Sequence, residues 1–461
     1  MPGQAVLLQL KVLQLFQQPF EKLFNIFKQT PTVMNSRRKF IQQLSAATGA
    51  FTFFPLTNKA YAHEAEHRFQ LFQSMNDAEA VQDEDFWGWI KEQFTVSPNL
   101  LNLNNGGVSP QPKVVQDAHI RFYQFSNEAP SYYMWRTLDE GREGLRGKLA
   151  ELASCNAEEL AINRNATEGL NTVIFGLNLK AGDEVVLTKQ DYPNMINAWK
   201  QREKRDGIKL IWLNLNLPEE NEDIIVQQYV NAFTSKTKIV HVTHLINWTG
   251  QFLPIRKIAD EAHKRGIEVI GDGAHSFAHT EFKIPDLGCD YFATSLHKWL
   301  CAPFGSGLLW IKNEKIKNIW ALLSNDKPDG EDIRKFETLG TRSFASEMAI
   351  GNAVDFHNVM GSKRKEERLR YLTDYWINQV RDLKRVSFLQ PKAKHMYCAL
   401  SNIAIEGMKP ADFASTLHTK YKIHTVSIDW ENIHGTRVTP HVYTSTKDLD
   451  RLVKAVREIA G

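Results

Sequence analysis

A lysine at the end of a short apolar run is the first residue of this sequence that could do chemistry. Lys298 lies in the stretch Ser295-Leu296-His297-Lys298-Trp299, directly after the run Tyr291-Phe292-Ala293-Thr294, whose composition is typical of a β-strand. The segment 303–307 contains a proline and two glycines and marks a loop, so we expect Lys298 at a strand end. In a partly apolar pocket beside a second cation, for which His297 is the candidate, a neutral lysine amine is favoured and can form a Schiff base with an aldehyde.

A carboxylate follows another apolar run. Asp272 lies in Val269-Ile270-Gly271-Asp272-Gly273-Ala274-His275-Ser276, directly after the strand-like residues. The strand ends of an α/β sheet face the ligand crevice, where Asp272 could hold a pyridine nitrogen in its protonated form. The alternative is an aspartate that only shapes a turn. If Asp272 is buried at a ligand site, its carboxylate needs a cationic partner.

The stretch Ile162–Asn171 resembles a strand end that runs into a helix. The first turn of such a helix exposes free N–H groups, and Thr167 adds a hydroxyl, so this turn could bind phosphate. The same pattern also occurs in ordinary helix caps.

Two further side chains complete a possible ligand site. Tyr192, in Thr188–Asn194, follows a strand-like run and could stack on a ring, although a tyrosine of this kind is more often packed in the core. Arg437, in Gly435–Tyr443, could hold a carboxylate in bidentate geometry, whereas an isolated arginine is more often a surface residue.

Alternating strand-like and helical patterns must position these residues. From about residue 160 the helical segments, such as Ile255–Arg265 closed by Gly266, separate short β-rich runs, which predicts parallel strands joined by crossover helices. The predicted strands are Glu184–Thr188, Leu210–Leu213, Ile239–Thr243, Ile267–Ile270, Tyr291–Ser295 and Leu308–Ile311. Upstream, Leu101–Pro110 is predicted to be a short strand and a turn.

The remaining helical patterns suggest how the chain divides into domains. Apolar residues recur at helical spacing in Arg142–Leu152, Lys363–Arg385 and Leu449–Ile459. We predict an N-terminal arm at 63–99, a large domain at 100–350 and a small C-terminal domain at 351–461. With 461 residues, of which 43% are hydrophobic and 24% charged, the chain is long enough for both domains.

The net charge of +3 is unevenly distributed. Residues 1–62 carry +6 and the remainder carries −3, so the basic excess belongs to a leader and gives no reason to expect nucleic acid. Four widely spaced cysteines match no metal-binding pattern, and one or two disulfides remain open: Cys155, Cys289, Cys301 and Cys398.

The leader has the pattern of an export signal. Ser36–Ile41 contains paired arginines, Leu44–Pro55 is mildly apolar, and Ala60-Tyr61-Ala62 is a cleavage site with small residues. This order resembles a twin-arginine signal and predicts cleavage after Ala62, use of the twin-arginine export machinery and a bacterial periplasmic location. The alternative is a basic amphipathic helix. The apolar stretch is too short to span a bilayer, no stable membrane span is expected in the mature protein, and Met34 is a possible true start.

Together the motifs resemble a known family. Their order along the chain is phosphate turn, aromatic residue, Asp-x-x-His, His-Lys and carboxylate-binding arginine. This order resembles the class V aminotransferases, which are pyridoxal-phosphate enzymes of fold type I, over roughly Leu100–Ile459. Asp272–His275 and the run His-Lys-Trp-Leu-Cys-Ala-Pro from His297 look most like the isopenicillin N epimerase-like subgroup. The resemblance implies an α/β fold, with a mostly parallel sheet flanked by helices in the large domain and a smaller C-terminal α/β domain.

The resemblance also implies roles for individual residues. Lys298 would bind the aldehyde of pyridoxal 5'-phosphate and later move the α-proton, and Asp272 would pair with the pyridine nitrogen. His275 and His244 would lie near the phenolic oxygen, and Tyr192 would stack on the ring.

The remaining implied roles concern the phosphate, the substrate and the neighbouring subunit. The phosphate would be held by Ala166, Thr167, Ser295 and His297. Thr341, in the loop Gly340-Thr341-Arg342-Ser343, would reach the phosphate of a neighbouring subunit, which implies a homodimer. Arg437 and Asn105 are the predicted substrate-binding residues.

The expected function is that of an exported enzyme acting at the α-carbon of an amino acid or a peptide-like amine. The residues do not distinguish an aminotransferase from an epimerase. The alternatives are a carbon–sulfur lyase on a cysteine derivative and a non-catalytic binding protein. Cysteine desulfurases of the family carry a nucleophilic cysteine shortly before the arginine, whereas Tyr421–Thr436 contains none, so enzyme-bound persulfide chemistry is not expected. No metal is expected.

Overall fold

A computed structural model describes residues 70–461 of the chain. The twin-arginine motif and the cleavage site lie outside the described residues. In the described part, no helix combines the length and the apolar character needed to cross a membrane.

Thirteen β-strands make up three sheets within residues 70–461. The strands are β1 (Leu101–Asn102), β2 (Leu160–Asn163), β3 (Glu184–Thr188), β4 (Lys209–Leu213), β5 (Thr237–Thr243), β6 (Glu268–Asp272), β7 (Tyr291–Ser295), β8 (Gly307–Ile311), β9 (Val386–Phe388), β10 (Ser401–Ile405), β11 (Ile423–His424), β12 (Val426–Trp430) and β13 (Ile433–Val438).

The largest sheet has seven strands in the order β2-β8-β7-β6-β5-β3-β4. The pairs from β4 through β3, β5 and β6 to β7 are parallel, as the alternating pattern predicts. The expectation of a parallel strand at 308–311 is wrong, because β8 is antiparallel to both β7 and β2. The connection 296–306 contains no crossover helix, so the chain turns back along the sheet.

The helices join and cover these strands. They are α1 (Asp77–Gln82), α2 (Glu84–Glu92), α3 (Lys113–Glu128), α4 (Pro130–Tyr133), α5 (Asp139–Ala153), α6 (Ala166–Gly176), α7 (Pro193–Asp206), α8 (Glu222–Ala232), α9 (Ile255–His263), α10 (Phe344–Met348), α11 (Ile350–Met360), α12 (Ser362–Val380), α13 (Pro410–Tyr421) and α14 (Thr446–Ala460). A π-helical segment, Met134–Leu138, precedes α5.

Hydrophobic cores lie on both faces of the seven-stranded sheet. On β3, Val186 belongs to one core, whereas Val185 and Leu187 belong to the other. On β6, Val269 and Ile270 divide in the same way. A strand buried on both faces needs consecutive apolar residues, which explains why these runs do not alternate with polar residues.

The smaller sheets are built mainly from the C-terminal part of the chain. The four-stranded sheet has the order β12-β13-β10-β9, and β1 pairs with β11 in parallel. Residues 160–311 form the seven-stranded sheet and residues 386–438 the four-stranded sheet, and a third core of apolar residues includes Leu372, Ile403 and Leu452. The predicted domain boundary near residue 350 falls between the two sheets and stays a prediction.

Candidate active site

A cavity of about 350 Å³ lies where β2, β3, β5, β6 and β7 end. Eight of the residues expected at the site line it: Ala166, Thr167, Tyr192, Asp272, His275, Ser295, His297 and Lys298. Because the carboxyl ends of parallel strands meet at one edge of a sheet, residues separated by more than a hundred positions converge here.

Lys298 lies on the loop that follows β7, as expected from the sequence. Its Nζ atom is 3.1 Å from Nε2 of His275. Loss of hydration lowers the pKa of Lys298 to about 8; the charge of Asp272 opposes this shift and that of Arg437 adds to it.

The sequence pointed to His297 as the cation next to Lys298, whereas the second cation is Arg437. The Nδ1 atom of His297 lies 3.0 Å from the carbonyl oxygen of Ser306, and burial lowers the pKa of the ring.

Asp272 ends β6 and is almost fully buried at the cavity. One carboxylate oxygen accepts a hydrogen bond from the N–H of Ala274 at 2.9 Å. Burial raises the pKa of Asp272, and the nearby His241 and Lys298 act in the opposite direction. A cation or a protonated ring nitrogen in the cavity would therefore stabilise the ionised carboxylate.

The predicted phosphate turn is the N-terminus of α6. Asn165 caps this helix, with its side-chain oxygen accepting from the N–H of Glu168 at 2.8 Å. Ser295, at the end of β7, accepts a hydrogen bond from the N–H of Ala166 at 3.0 Å, so the hydroxyl joins the lysine strand to the helix. Together with Thr167, these groups surround a helix end that favours an anion.

Arg437 lies on β13 and is only 7% exposed. Its guanidinium donates to the carbonyl oxygen of Asn247 at 3.0 Å and to the side-chain oxygen of Asn104 at 2.9 Å. Burial lowers the pKa of Arg437 to about 10, so the guanidinium stays charged at neutral pH. A methyl group on Gly106 would lie 3.4 Å from the ring of His275 and 3.6 Å from Cζ of Arg437, so this glycine keeps the space between them open.

Besides Arg437, which is not among the residues that line the cavity, three expected residues lie outside it. His244 follows β5, and its ring packs 5.1 Å from Phe252 and 5.1 Å from Phe282, measured between ring centroids. Its neighbour Thr243 lines the cavity instead, because successive side chains along extended backbone point in opposite directions. Thr341 lies on an exposed loop outside the cavity.

The structure gives Asn105, the third of these residues, a role within the protein. Its side chain is fully buried, and its amide nitrogen donates to the carbonyl oxygen of Thr439 at 2.8 Å. The amide oxygen accepts hydrogen bonds from the hydroxyl of Tyr443 and from the amide of Asn102. The substrate-binding role expected for Asn105 is therefore not supported, because these partners occupy both ends of its amide.

The predicted site residues do not include every polar residue that lines the cavity, and Asn247 and Thr243 are two that were missed. Asn247 lines it, and the side-chain oxygen of Asn247 is buried without a hydrogen-bond partner in the described chain. Thr243 donates to buried Asp191 at 2.7 Å, and burial raises the pKa of Asp191 to about 6. Thr243 could have been found from its place at the end of a predicted strand, whereas no local pattern marks Asn247.

These residues fit pyridoxal phosphate. Lys298 provides an amine for the aldehyde, and Asp272 provides a carboxylate for the ring nitrogen. The N-terminus of α6 is suited to the phosphate, and Tyr192 provides an aromatic side chain for the ring. The Nδ1 atom of His275 and the amide oxygen of Asn247 are buried without hydrogen-bond partners in the described chain, and a polar ligand in the cavity would supply them.

The cysteines do not contribute a nucleophile to this site. All four are free thiols, and Cys289, Cys301 and Cys398 are buried. Burial raises the pKa of Cys155, Cys301 and Cys398 to about 12, which disfavours the reactive thiolate. Within the described residues, no group of His, Cys, Asp and Glu side chains could hold a metal ion.

Comparison with known proteins agrees with this geometry. The model of the family "Aminotransferase class-V" matches residues 101–452. Isopenicillin N epimerase of Amycolatopsis lactamdurans is 26% identical over 81% of this chain and 98% of its own length. A probable cysteine desulfurase of Halalkalibacterium halodurans is 27% identical over 80% of this chain and 95% of its own length.

A solved structure has the same fold. It is that of the cystine C–S lyase C-DES, in a variant with glycine covalently linked to its pyridoxal phosphate cofactor. The two structures superpose with a TM-score of 0.72 and 21% identity, covering 79% of this chain and 98% of C-DES. The family match spans both the lysine loop and the arginine strand, and with the fold and the site residues it establishes that this chain belongs to the class V aminotransferases, a family of pyridoxal-phosphate-dependent enzymes of fold type I.

Proposed function

We propose that this enzyme removes the α-proton of an amino acid or a peptide-like amine, as the first step of an epimerisation or a transamination. The observation that carries the proposal is the contact between Lys298 and His275, 3.1 Å apart, at a cavity that also contains Asp272. An amine placed in this way is a general base, and its lowered pKa of about 8 leaves a useful fraction neutral near neutral pH.

Pyridoxal phosphate, when bound, takes up the negative charge that develops at Cα. The protein's residues prepare the site for that event. Asp272 holds a proton on the ring nitrogen and Lys298 accepts the α-proton at Nζ. The neutral ring of His275, whose Nε2 atom lies 3.1 Å from that amine, orients it. Arg437 binds the α-carboxylate of the substrate, and the negative charge of this group compensates the buried positive charge of the guanidinium.

Hydrogen exchange in heavy water tests the proposed step. We expect at least one amino acid to take up deuterium at Cα, and chiral and oxo-acid analysis then separates epimerisation from transamination. Lys298→Ala should lower exchange by about 10²- to 10⁴-fold, which is the usual contribution of a general base. Lys312→Ala, at an exposed lysine paired with Glu314, is the matched control and should exchange at the wild-type rate.

A carbon–sulfur lyase is the second candidate, and the cysteine desulfurase relative supports it. A lyase that releases a thiol from an S-substituted cysteine needs no protein thiol, unlike a cysteine desulfurase, so the buried cysteines do not exclude this reaction. Release of pyruvate and a thiol from S-substituted cysteines would favour this reaction. Bound cofactor with neither α-proton exchange nor thiol release for any amine would instead favour a non-catalytic binding protein.

We also propose export through the twin-arginine pathway, from the order of the motifs in residues 36–62. The mature protein should begin at His63 and should be found in the bacterial periplasm. N-terminal sequencing of the exported protein tests this directly, and a start far from His63 contradicts it. Replacing Arg37 and Arg38 by lysine should retain the precursor in the cytoplasm.

A homodimer completes the proposal. Thr341 lies on an exposed loop away from its own cavity, which is consistent with a role in a second subunit. Light scattering should give twice the mass of one chain. A mixture of Lys298→Ala and Thr341→Trp subunits should regain part of the exchange activity if the loop serves the neighbouring site, and a mixture as inactive as both parents contradicts this role.

A further inference from the structure

The side chain of Asn104 is held from both ends beside Arg437. Its amide oxygen accepts a hydrogen bond from the guanidinium of Arg437 at 2.9 Å, and its amide nitrogen lies 3.4 Å from Nε2 of His424. Its backbone is also fixed, because its N–H donates to the side-chain oxygen of Asn102 at 3.1 Å and it forms a β-bridge with Thr439. The amide therefore has little freedom to rotate.

Arg437 depends on few contacts within the protein. Its two acceptors, the oxygens of Asn104 and Asn247, are both neutral, and its Nε atom is buried without a hydrogen-bond partner in the described chain. A buried guanidinium without a carboxylate is costly, and this cost falls when an anionic ligand binds. A neutral side chain at position 104 is thus able to orient the guanidinium without neutralising it.

We propose that Asn104 is a positioning residue, which holds Arg437 in the orientation that binds the substrate carboxylate and, being uncharged, leaves the charge of Arg437 available to the substrate. The inference rests on the proposed role of Arg437 in carboxylate binding. It assigns a specificity function to the turn 104–107, in which Asn105 is structural and Gly106 keeps the space beside His275 open.

Two small amines separate this role from a general effect on the site. Glycine carries a carboxylate and methylamine does not, and the binding of both to the holoenzyme is followed by the change in cofactor absorbance. Asn104→Asp preserves the shape of the side chain, but the new carboxylate forms an ion pair with the guanidinium of Arg437. It should raise the half-saturation concentration of glycine about tenfold or more, the equivalent of one lost charge-assisted contact, and change that of methylamine less than about twofold.

Asn104→Ala removes the hydrogen bond without adding a charge. It should raise the half-saturation concentration of glycine in the same direction but by a smaller factor, and it should again leave methylamine unchanged. Equal effects on glycine and methylamine, or no effect on either, would overturn the proposal.

Chemical modification tests the same contact without relying on the proposed function. Phenylglyoxal reacts with accessible guanidinium groups, and peptide mass spectrometry identifies each modified arginine. In the ligand-free holoenzyme, Asn104→Ala should accelerate modification of Arg437 several-fold, because the released guanidinium can reach the cavity. Arg202 is an internal control, since it is 2% exposed and bonds to the carbonyl oxygens of Ile174 and Leu177, and its rate should not change.

The two measurements have separate meanings. If glycine leaves the spectrum of the wild-type holoenzyme unchanged, the carboxylate-binding role of Arg437 fails, and the modification rate alone then decides whether Asn104 positions Arg437. An Arg437 modification rate in Asn104→Ala equal to that of the wild type overturns the positioning role, whatever glycine does.

Discussion

The charge state of Lys298 depends on groups with opposing effects. Loss of hydration is the largest effect and lowers its pKa to about 8, the anion Asp272 acts against this shift, and the cation Arg437 adds to it. A protonated amine has no lone pair for an aldehyde, so Lys298 is available above this pKa and not below it. Both Lys298 and Arg437 were predicted from the sequence as site residues, but His297, and not Arg437, was expected to be the cation beside the lysine.

This balance predicts the pH dependence of cofactor attachment. For protein stripped of cofactor, the rate of covalent attachment should rise with pH and level off above about 8. Arg437→Gln should move the midpoint to higher pH by removing a neighbouring cation, and Asp272→Asn should move it to lower pH by removing an anion. Stopped-flow absorbance measures the rate, and midpoints that do not move in opposite directions contradict this explanation.

Asn105 and Asn104 should behave differently although they are neighbours. Asn105→Ala leaves the carbonyl oxygen of Thr439 without this donor and the hydroxyl of Tyr443 without its acceptor, so we expect the free energy of unfolding to fall by about 1–3 kcal/mol. Binding of glycine and of methylamine should change by the same factor. Urea denaturation measures the first effect, and a selective loss of glycine binding would restore the substrate role expected from the sequence.

The loop after β7 is held in place by buried groups that contact Trp299. The indole of Trp299 stacks between the rings of His279 and His441, with centroid distances of 3.5 Å and 5.3 Å. Lys365, near the start of α12, donates a hydrogen bond to the carbonyl oxygen of Trp299 and lies 3.3 Å from Nδ1 of His357. Burial lowers the pKa of Lys365 to about 8. An apolar side chain of similar size would fill the same space. The particular contribution of the lysine is therefore its hydrogen bond to the loop.

Replacing this contact should disturb the orientation of Lys298. We expect Lys365→Met to retain bound cofactor but to lower kcat about tenfold with little change in KM, because the substrate contacts are intact and the base is misplaced. A changed pH midpoint of the cofactor absorbance should accompany the loss. Lys363→Met is the control, since that side chain is 61% exposed on the same helix. Equal activity of the two variants would show that the loop does not need Lys365.

The strands of the large sheet could be predicted from sequence because each is a short apolar run bounded by turn residues. Their limits agree with the structure to within two residues, as for Ile239–Thr243 and β5. The direction of β8 could not be predicted in the same way, because it depends on the absence of a helix in a connection and not on the strand itself. His244 was misplaced for a similar reason, since a shift of one residue reverses the face of an extended chain.

For the whole molecule, the order of the motifs was sufficient to predict the family, the fold and the cofactor, and all three are confirmed. Each motif can be recognised within a short stretch of sequence. Because strand ends in an α/β sheet meet at one edge, residues predicted at these strand ends also lie together in the structure. The contacts of Asn104, Asn247 and Lys365 could not be predicted, because they join segments far apart in the chain. Export, the homodimer and the domain boundaries stay predictions.

We propose that Lys298 removes an α-proton from an amine bound at this site. Deuterium incorporation at Cα, followed by NMR and mass spectrometry with the holoenzyme in heavy water, measures this step. We predict exchange with at least one amino acid or peptide-like amine, and a rate in Lys298→Ala that falls by about 10²-fold or more. An amine that changes the cofactor absorbance but never exchanges its α-hydrogen, or a Lys298→Ala variant that exchanges at the wild-type rate, would contradict the claim.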